Sequence, residues 1–499
     1  MKCILSDRFY VPAAWVTPEI LNKFVYHIDE QLGAYDFGPF ETTTGSIRTF
    51  AKVQSGSDIY YAFSRGNISK LGELFGDLPW EDRTSVTPMV SDLKFKGQLY
   101  TWETKKIGQQ EAVSIWLKRK GGIIKAPPRF GKTISSIHVI TKLKTKAVII
   151  AHQIDLLKQF YKSFFSFTNV EEIQDIAPNQ KKRDAKGRIV GFFHDYTNPE
   201  ELDVCLLCWQ TLASKAHGLE RLKKYGDLWG TVIVDECHKV GGTCYARTVN
   251  RLAARYRLGL TGTVERVDGR EFLLKDIIGE VVAEGRVATI PCKVYITHTG
   301  VPIKYNQWEP RSYLFKRIYN DQNRMNIILD DLFRDVEANR YICFAFHRSS
   351  TEQLCDWTHK LQLMGIKAES FYGTCRDREG VLSRARSGET QVLVCNSQML
   401  TGIDVPRWDT YYSAFPTSNV VFNEEGQLSG NFYQEFSRIR TPFTYEDGRE
   451  KKEGIIRDYV DNNPMCFGSY KKRARAYANQ NFPIKTRKLA AKANPLTLD

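Results

Sequence analysis

Long apolar runs, repeats and paired chelating motifs are what this chain lacks. No stretch approaches the roughly 18–20 apolar residues that a membrane-spanning helix needs. Met1 to Tyr10 mixes acidic and basic side chains without a long apolar segment, so no signal peptide is read and a soluble, cytoplasmic protein is expected. Low-complexity tracts and short-period repeats are missing, which leaves a globular reading. Cysteine is present, but the eleven are an odd number scattered through strand-like apolar runs, so buried reduced thiols are expected rather than a disulfide framework. Cys205 and Cys208 alone have chelating spacing. Val204 to Trp209 reads as a strand, where residues three apart face opposite sides, and no second pair exists. A zinc site is not expected. The clustered acidic and lysine constellation of a nuclease is also missing.

What is present is size, charge and two polar motifs. At 499 residues, 42% of them hydrophobic and 26% charged, the chain calls for two to four domains. Its 71 Lys+Arg against 57 Asp+Glu leave +14, which favours a polyanionic partner. Ala126-Pro127-Pro128-Arg129-Phe130-Gly131-Lys132-Thr133 lies between a strand-like Gly122-Ile123-Ile124 and a helix-like Ile134 to Leu143. Backbone N–H groups in such a loop, with the helix N-terminus, surround phosphates. Lys132 would reach the β- and γ-phosphates of ATP, and the Thr133 hydroxyl would ligate Mg²⁺. The loop lacks the leading Gly of the full pattern. Farther on, Asp235-Glu236-Cys237-His238 closes the β-branched run Thr231-Val232-Ile233-Val234, which puts the two carboxylates at the C-terminal end of a buried parallel strand. Asp235 would hold the metal and Glu236 would orient the attacking water. Each motif alone is a weak signal; both in order, each after an apolar strand, point to a nucleotide site.

Four segments are expected. Residues 1–95 mix strand signals (Ser46 to Val53) with a helical one (Ile68 to Phe75). Glu81 to Lys96 reads as a linker. Residues 96–295 alternate strands (Ile123, Ala147 to Ala151, Val204 to Trp209, Thr231 to Asp235, Leu258 to Thr261) with helices, the pattern of a doubly wound α/β parallel sheet. Residues 296–468 repeat it, with strands at Tyr341 to Phe346, Ala368 to Tyr372, Val392 to Cys395, Tyr411 to Ala414 and Ile455 to Val460, and helices at Thr351 to Leu363 and Asp377 to Ser387. This second sheet has no Gly-Lys-Thr loop. Residues 469–499 read as a basic helix and tail, either a solvated face or a segment contacting a nucleic-acid backbone.

Two consecutive α/β units sharing one phosphate loop resemble the tandem RecA-like core of superfamily 2 helicases and translocases. Several segments carry the resemblance in order. Gln109 looks like the adenine-reading glutamine, although Gly108 stands where many relatives have an aromatic residue. Pro128, Arg129, Phe130, Gly131, Lys132 and Thr133 would bind ATP. His152-Gln153 and Trp209-Gln210-Thr211 look like loops that contact the nucleic-acid backbone. Thr261-Gly262-Thr263 looks like the motif that couples the carboxylates to strand binding. The run from Gly259 through Arg266, Asp268-Gly269 and Gly279-Glu280 is similar to the branch holding XPB-like proteins and phage branch-migration helicases of the UvsW kind. In the second unit, His347-Arg348 and Thr401 would contact the tracking strand, and Gly402 and Asp404 the nucleotide. Gln434 to Thr441 resembles Gln-x-x-Gly-Arg-x-x-Arg, with Ser437 for Gly and Arg440 one residue early. Arg438 is then the expected γ-phosphate ligand, and Arg440 could serve only where the helix ends or unwinds. Thr44 to Arg48, Gly66 to Leu71 and Leu74 to Gly76 are similar in order to the leading domain of the same phage helicases, which helps bind nucleic acid.

The resemblance implies an ATP- and Mg²⁺-dependent DNA helicase or translocase. It would act on forked and four-way junctions in recombination, replication or repair, as a monomer, in a host cytoplasm if phage-encoded. ATP would lie between the two sheets, with Arg438 opposite Lys132, Thr133 and Asp235, and His238 would be a coupling residue contacting the opposite domain. Two alternatives stay open: a duplex translocase without strand separation, and a non-motor nucleic-acid-binding protein with a vestigial ATP site. An RNA helicase is disfavoured by Cys237 and the Arg266–Asp268–Gly269 run.

Overall fold

The computed structural model describes residues 2–27, 42–43, 46–76, 79–170, 189–193, 198–214, 217–241, 243–265, 270–305, 308–346, 350–396, 403, 405–414, 420–422 and 428–489. The chain divides into two compact units, Met1–Val287 and Ala288–Asp499.

The first unit is built on seven parallel strands, in the order Val190–Phe192, Val204–Cys208, Ala147–Ala151, Thr231–Asp235, Tyr256–Thr261, Gly121–Lys125 and Val281–Glu284. Their β-branched and aliphatic runs are buried on both faces, as a sheet covered by helices on each side requires. Along Ala147–Ala151, Val148 and Ile150 enter one core while Ala147, Ile149 and Ala151 enter the other. The same alternation sends Cys205 into the first core and Cys208 against the second, so the two thiols face opposite sides of the sheet. Register pairs Lys125 with Thr261 and Asp235 with Leu260, which brings three strand ends to one rim.

The small leading domain packs within this same unit. A five-stranded sheet (Phe50–Ser55, Asp58–Phe63, Phe9–Pro12, Cys3–Leu5, Trp80–Asp82) and a three-stranded one (Val25–His27, Ser46–Arg48, Thr42–Thr43) flank the helix Ile68–Phe75. The strand expected over Ser46 to Val53 is therefore two strands. They part at buried Thr49, whose N–H is taken by Phe24 O (3.0 Å). The domain docks on the helix Glu271–Ile278: Tyr26 stacks on Phe272 (3.9 Å, 12°) and its hydroxyl bonds Asp276 (3.1 Å). Gly66 lies so close to the Lys275 carbonyl that any Cβ would collide with it.

The expected linker is no free linker. Trp80–Asp82 pairs parallel to Cys3–Leu5, and Ser85, Pro88 and Phe95 form bridges to Ala254, Thr145 and Thr168. Buried Asp203 accepts the N–H groups of Val90 (2.9 Å) and Ser91 (2.7 Å), fixing the strap to the sheet.

The second unit is again seven parallel strands: Ala368–Phe371, Val392–Asn396, Ile342–Phe346, Thr410–Ser413, Gly454–Asn462, Cys292–Pro302 and Ile484–Lys488. Cys292–Pro302 pairs with Gly454–Asn462, so this unit begins before residue 296. The basic C-terminal stretch is a helix, Pro464–Asn479, followed by an edge strand of the sheet, Ile484–Lys488; residues 490–499 of the expected tail lie outside the described residues. The helix Thr351–Leu363 starts with a capping box in which the Ser350 and Gln353 side chains each bond the other's backbone N–H. No helix among the described residues is long and apolar enough to cross a membrane.

Candidate active site

The phosphate loop leaves the strand Gly121–Lys125 and ends in the helix Lys132–Leu143. Its turn needs two left-handed residues, Arg129 (φ 68°) and Gly131 (φ 83°). Gly131 is also where a Cβ would strike the Gln109 amide. Phe130 is fully buried and anchors the loop from beneath, while Ala126 N–H bonds Thr261 O (2.7 Å) and ties its start to the neighbouring strand. Pro128, Lys132 and Thr133 are part-exposed, Thr133 as the second residue of the helix.

Gln109, expected to read adenine, is engaged at both ends by this chain's own backbone. Its Nε2 donates to Phe130 O (2.6 Å) and its Oε1 accepts from Tyr100 N (3.0 Å). At 3% exposure the side chain acts here as a strut for the phosphate loop.

Lys132 Nζ lies 3.4 Å from Ala126 O and 3.5 Å from Glu236 Oε1. Glu236 sits just past the strand Thr231–Asp235 with φ 46°, a left-handed turn that swings its carboxylate back toward the lysine. Burial alone would raise its pKa, but Lys132 and His238 pull it below the ordinary glutamate value. Asp235 goes the other way: burial first, then the neighbouring Glu236 charge, push it up to about 7. Two adjacent buried carboxylates beside one lysine offer hard oxygen donors of the kind a divalent cation takes. Thr133 and Asp235 are the residues that would hold it.

From Glu236 the polar chain continues within the first unit. His238 Nδ1 is 3.3 Å from Glu236 Oε2 and 2.9 Å from Thr261 Oγ1. Thr261 Oγ1 contacts Thr263 O (2.6 Å) and lies 3.2 Å from Thr263 N, so the Thr261-Gly262-Thr263 turn is coupled to the carboxylate through one imidazole. Glu236 and Thr261, the two partners that His238 joins, both lie in the first unit.

Sequence reasoning missed Lys239, although it directly follows the Asp-Glu-Cys-His motif. Its Nζ is 2.8 Å from His152 Nε2, and Gln210 Nε2 donates to His152 O (3.3 Å). Burial, then the Lys239 charge, lower the His152 pKa to about 4, so the ring is neutral and able to accept. Trp209 stacks on Tyr245 (5.5 Å, 16°), whose hydroxyl bonds Ile150 O (3.3 Å). Trp209–Ala213 is a short helix rather than a loop, with Thr211 inside it; Gln153 precedes the helix Ile154–Phe167 at its N-cap position without a side-chain cap bond. The two expected backbone-contacting segments, His152-Gln153 and Trp209-Gln210-Thr211, are thus joined to each other and to the catalytic strand end.

In the second unit the helix Gly430–Ser437 ends at Ser437 and passes into a 3₁₀ turn, Arg438–Arg440. The unwinding that Arg440 would need is present, but its guanidinium is turned inward. It bonds Thr289 Oγ1 (3.0 Å) and Ile290 O (3.4 Å) and lies over the Phe482 ring (5.1 Å). Arg438 is buried to 8% exposure. His347, Arg348, Thr401, Gly402 and Asp404 lie outside the described residues, as do Arg266, Asp268 and Gly269.

Comparison with known proteins agrees with this geometry. Residues 105–266 match the family model described as Type III restriction enzyme, res subunit (ResIII). The chain is 26% identical over 345 residues to DNA 3'-5' translocase XPB2 of Sulfurisphaera tokodaii, an alignment covering 60% of this chain and 72% of that protein. It is 23% identical over 317 residues to DNA 3'-5' helicase XPB of Kineococcus radiotolerans, covering 60% of this chain and 51% of that one. Among solved structures, T4 UvsW is similar at 14% identity and a TM-score of 0.36, over 99% of this chain and 100% of that one. Residues 105–266 thus match a ResIII domain, and XPB translocases and helicases are among the proteins this chain is similar to.

Proposed function

We propose that the chain is an ATP-dependent DNA helicase or translocase that unwinds or branch-migrates forked and four-way junctions in recombination, replication or repair. The observation that carries this reading is the unbroken polar path Lys132–Glu236–His238–Thr261, joined at the same rim to His152 and Gln210 through Lys239. A static nucleotide-binding fold has no need to join its catalytic carboxylate to backbone-contacting loops. The names of the archaeal and bacterial relatives add the substrate and a 3'-5' direction.

Bound Mg²⁺–ATP would supply the scissile phosphoanhydride and the cation that neutralises its oxygens. Lys132 leaves Glu236 to meet the phosphates, and the loop N–H groups around Gly131 orient them. Glu236, which keeps His238 as its partner, holds the attacking water and, with Lys132 drawn away, is the better base to accept its proton. His238 then carries the change in Glu236 to the Thr261 hydroxyl. Arg438, from the second unit, is the proposed contact to the charge developing at the γ-phosphate. The N-terminal domain is proposed to add duplex affinity, and the protein to work as a monomer.

A second reading, a duplex translocase that leaves strands paired, is favoured by the word translocase in the archaeal relative's name. A labelled linear duplex, a fork and a four-way junction, incubated with protein and ATP, separate the two. Strand release from fork and junction supports the first reading, and protein displacement without strand release supports the second. Turnover that no DNA stimulates overturns both.

A further inference from the structure

From Asn462 to Leu498 the chain contains no Asp or Glu, yet carries Lys471, Lys472, Arg473, Arg475, Lys485, Arg487 and Lys488. Two of these are neutralised inside the second unit. Buried Arg473 forks onto Asp458 (Nε and Nη2, 2.8 Å each), and Arg487 bonds Asp331 (2.8 Å). Lys471, Lys472 and Lys488 are exposed and make no ion pair among the described residues.

The fold brings Lys471 and Lys488 to a patch of aromatic rings, with Lys472 beside Lys471 on the helix. On the helix Pro464–Asn479, Phe467 and Lys471 are one turn apart on the outward face, and Phe467 is 38% exposed. His298 packs against Phe467 (6.0 Å, 29°) and edge-on to Tyr470 (5.3 Å). In register, His298 is the cross-strand partner of Lys488, so the two side chains leave the sheet on the same face. The strand Ile484–Lys488 is outermost in its sheet, and the next residue, Leu489, donates its N–H to His298 O (2.9 Å). None of the motif residues of this unit lies on this helix or this strand.

We infer that this face is an additional single-strand nucleic-acid contact, in which Lys471, Lys472 and Lys488 meet phosphates and Phe467 stacks a base. The inference rests on the nucleic-acid reading proposed above. A stripe of uncompensated lysines takes any polyanion, but an exposed phenyl ring seated among them suits an unpaired base better than an acidic protein surface. In a motor, a contact outside the ATP-driven motifs holds the product strand while the motifs release and regrip.

The test uses the full-length protein without nucleotide and a fluorescein-labelled single-stranded oligonucleotide, read by anisotropy over a series of KCl concentrations. The charge-reversal variant K471E/K472E/K488E is expected to bind at least tenfold more weakly at low salt. Its log–log salt slope should fall by about 2, at ~0.7 per phosphate contact for single strands. Phe467→Ala should lose about tenfold with an unchanged slope, since stacking adds ~1–3 kcal/mol per base without counterion release. ATP turnover without nucleic acid should equal that of the parent protein in both variants, which checks folding. If the charge-reversal variant keeps parental affinity and slope, the face does not contact nucleic acid and an acidic protein partner takes its place. Loss on charge reversal with a parental Phe467→Ala overturns the single-strand assignment in favour of a duplex backbone. If the parent protein itself binds no oligonucleotide, it is the underlying function that fails, a result distinct from the other two.

Discussion

At the scale of single residues, the site depends on one lysine shared between two tasks. Lys132 rests on Glu236 and Ala126 O and is the charge that holds Glu236 anionic. Lys132→Ala therefore removes the proposed phosphate ligand and frees Glu236 to take up a proton. Steady-state ATP turnover should fall below detection, while DNA affinity stays within about threefold, because phosphate contacts elsewhere dominate it; turnover and anisotropy assays on one preparation check both. The two arginines of the last motif should separate just as sharply. Arg438→Ala should cost on the order of 10³ in turnover, as other γ-phosphate arginines do. Arg440→Ala should leave turnover within about threefold but lower the melting temperature by a few degrees, since it loses bonds to Thr289 and Ile290 and its place over Phe482. A turnover loss in Arg440→Ala as large as in Arg438→Ala would reverse the assignment. That division was half legible: the sequence shows an arginine out of place, but only the 3₁₀ turn and its neighbours show where it went. Gln109 is similar, since an amide's chemistry suits adenine and backbone equally, and its choice depends on Tyr100 and Phe130, which no local pattern links to it.

At the scale of elements, periodicity was a good guide wherever an element is decided by its own residues. Ile68–Phe75 and Thr351–Leu363 lie where apolar spacing puts them, and the buried strands of both sheets announce themselves as β-branched runs. It failed where pairing is decided from afar. Glu81-Asp82 reads as polar linker, and Ile484–Lys488 as basic tail, because an exposed edge strand needs no apolar face once a neighbour supplies the hydrogen bonds. Thermal unfolding of Asp203→Ala should show a loss of about 1.5–3 kcal/mol, because two backbone N–H groups of the strap lose a charged acceptor. A second element contact gives a pH signature. Glu435, on the helix Gly430–Ser437, is buried against the strand Thr410–Ser413, where it accepts the Tyr411 hydroxyl (2.5 Å), and burial raises its pKa from 4.5 to about 7. An acid raised in the folded state stabilises fully below its unfolded pKa and loses that contribution as pH climbs through the folded one. Between pH ~4.5 and ~7 this carboxyl should cost up to about 3 kcal/mol. Glu435→Gln should therefore match the parent protein near pH 5 and melt higher at pH 8; a constant difference across that range would rule out the ionisation.

At the scale of the whole molecule, the chain holds two sheets of the same kind but one Gly-Lys-Thr loop, and that asymmetry adds to the argument for a motor. The second sheet keeps the architecture of an ATPase without its loop, and it retains a buried arginine at the end of Gly430–Ser437. If it served only as a binding platform, Arg438 would contribute nothing to hydrolysis and its removal would be independent of Lys132. If it serves the reaction of the first unit, as proposed, the two side chains stabilise one transition state and their losses cannot add. The double variant Lys132→Ala/Arg438→Ala should then hydrolyse ATP no more slowly than Lys132→Ala alone, measured where residual turnover is still resolved by single-turnover kinetics. Parental turnover in Arg438→Ala alone would mean that the arginine acts elsewhere, and the second unit would have to be read as a nucleic-acid platform tethered to an ATPase rather than as its partner in the chemistry.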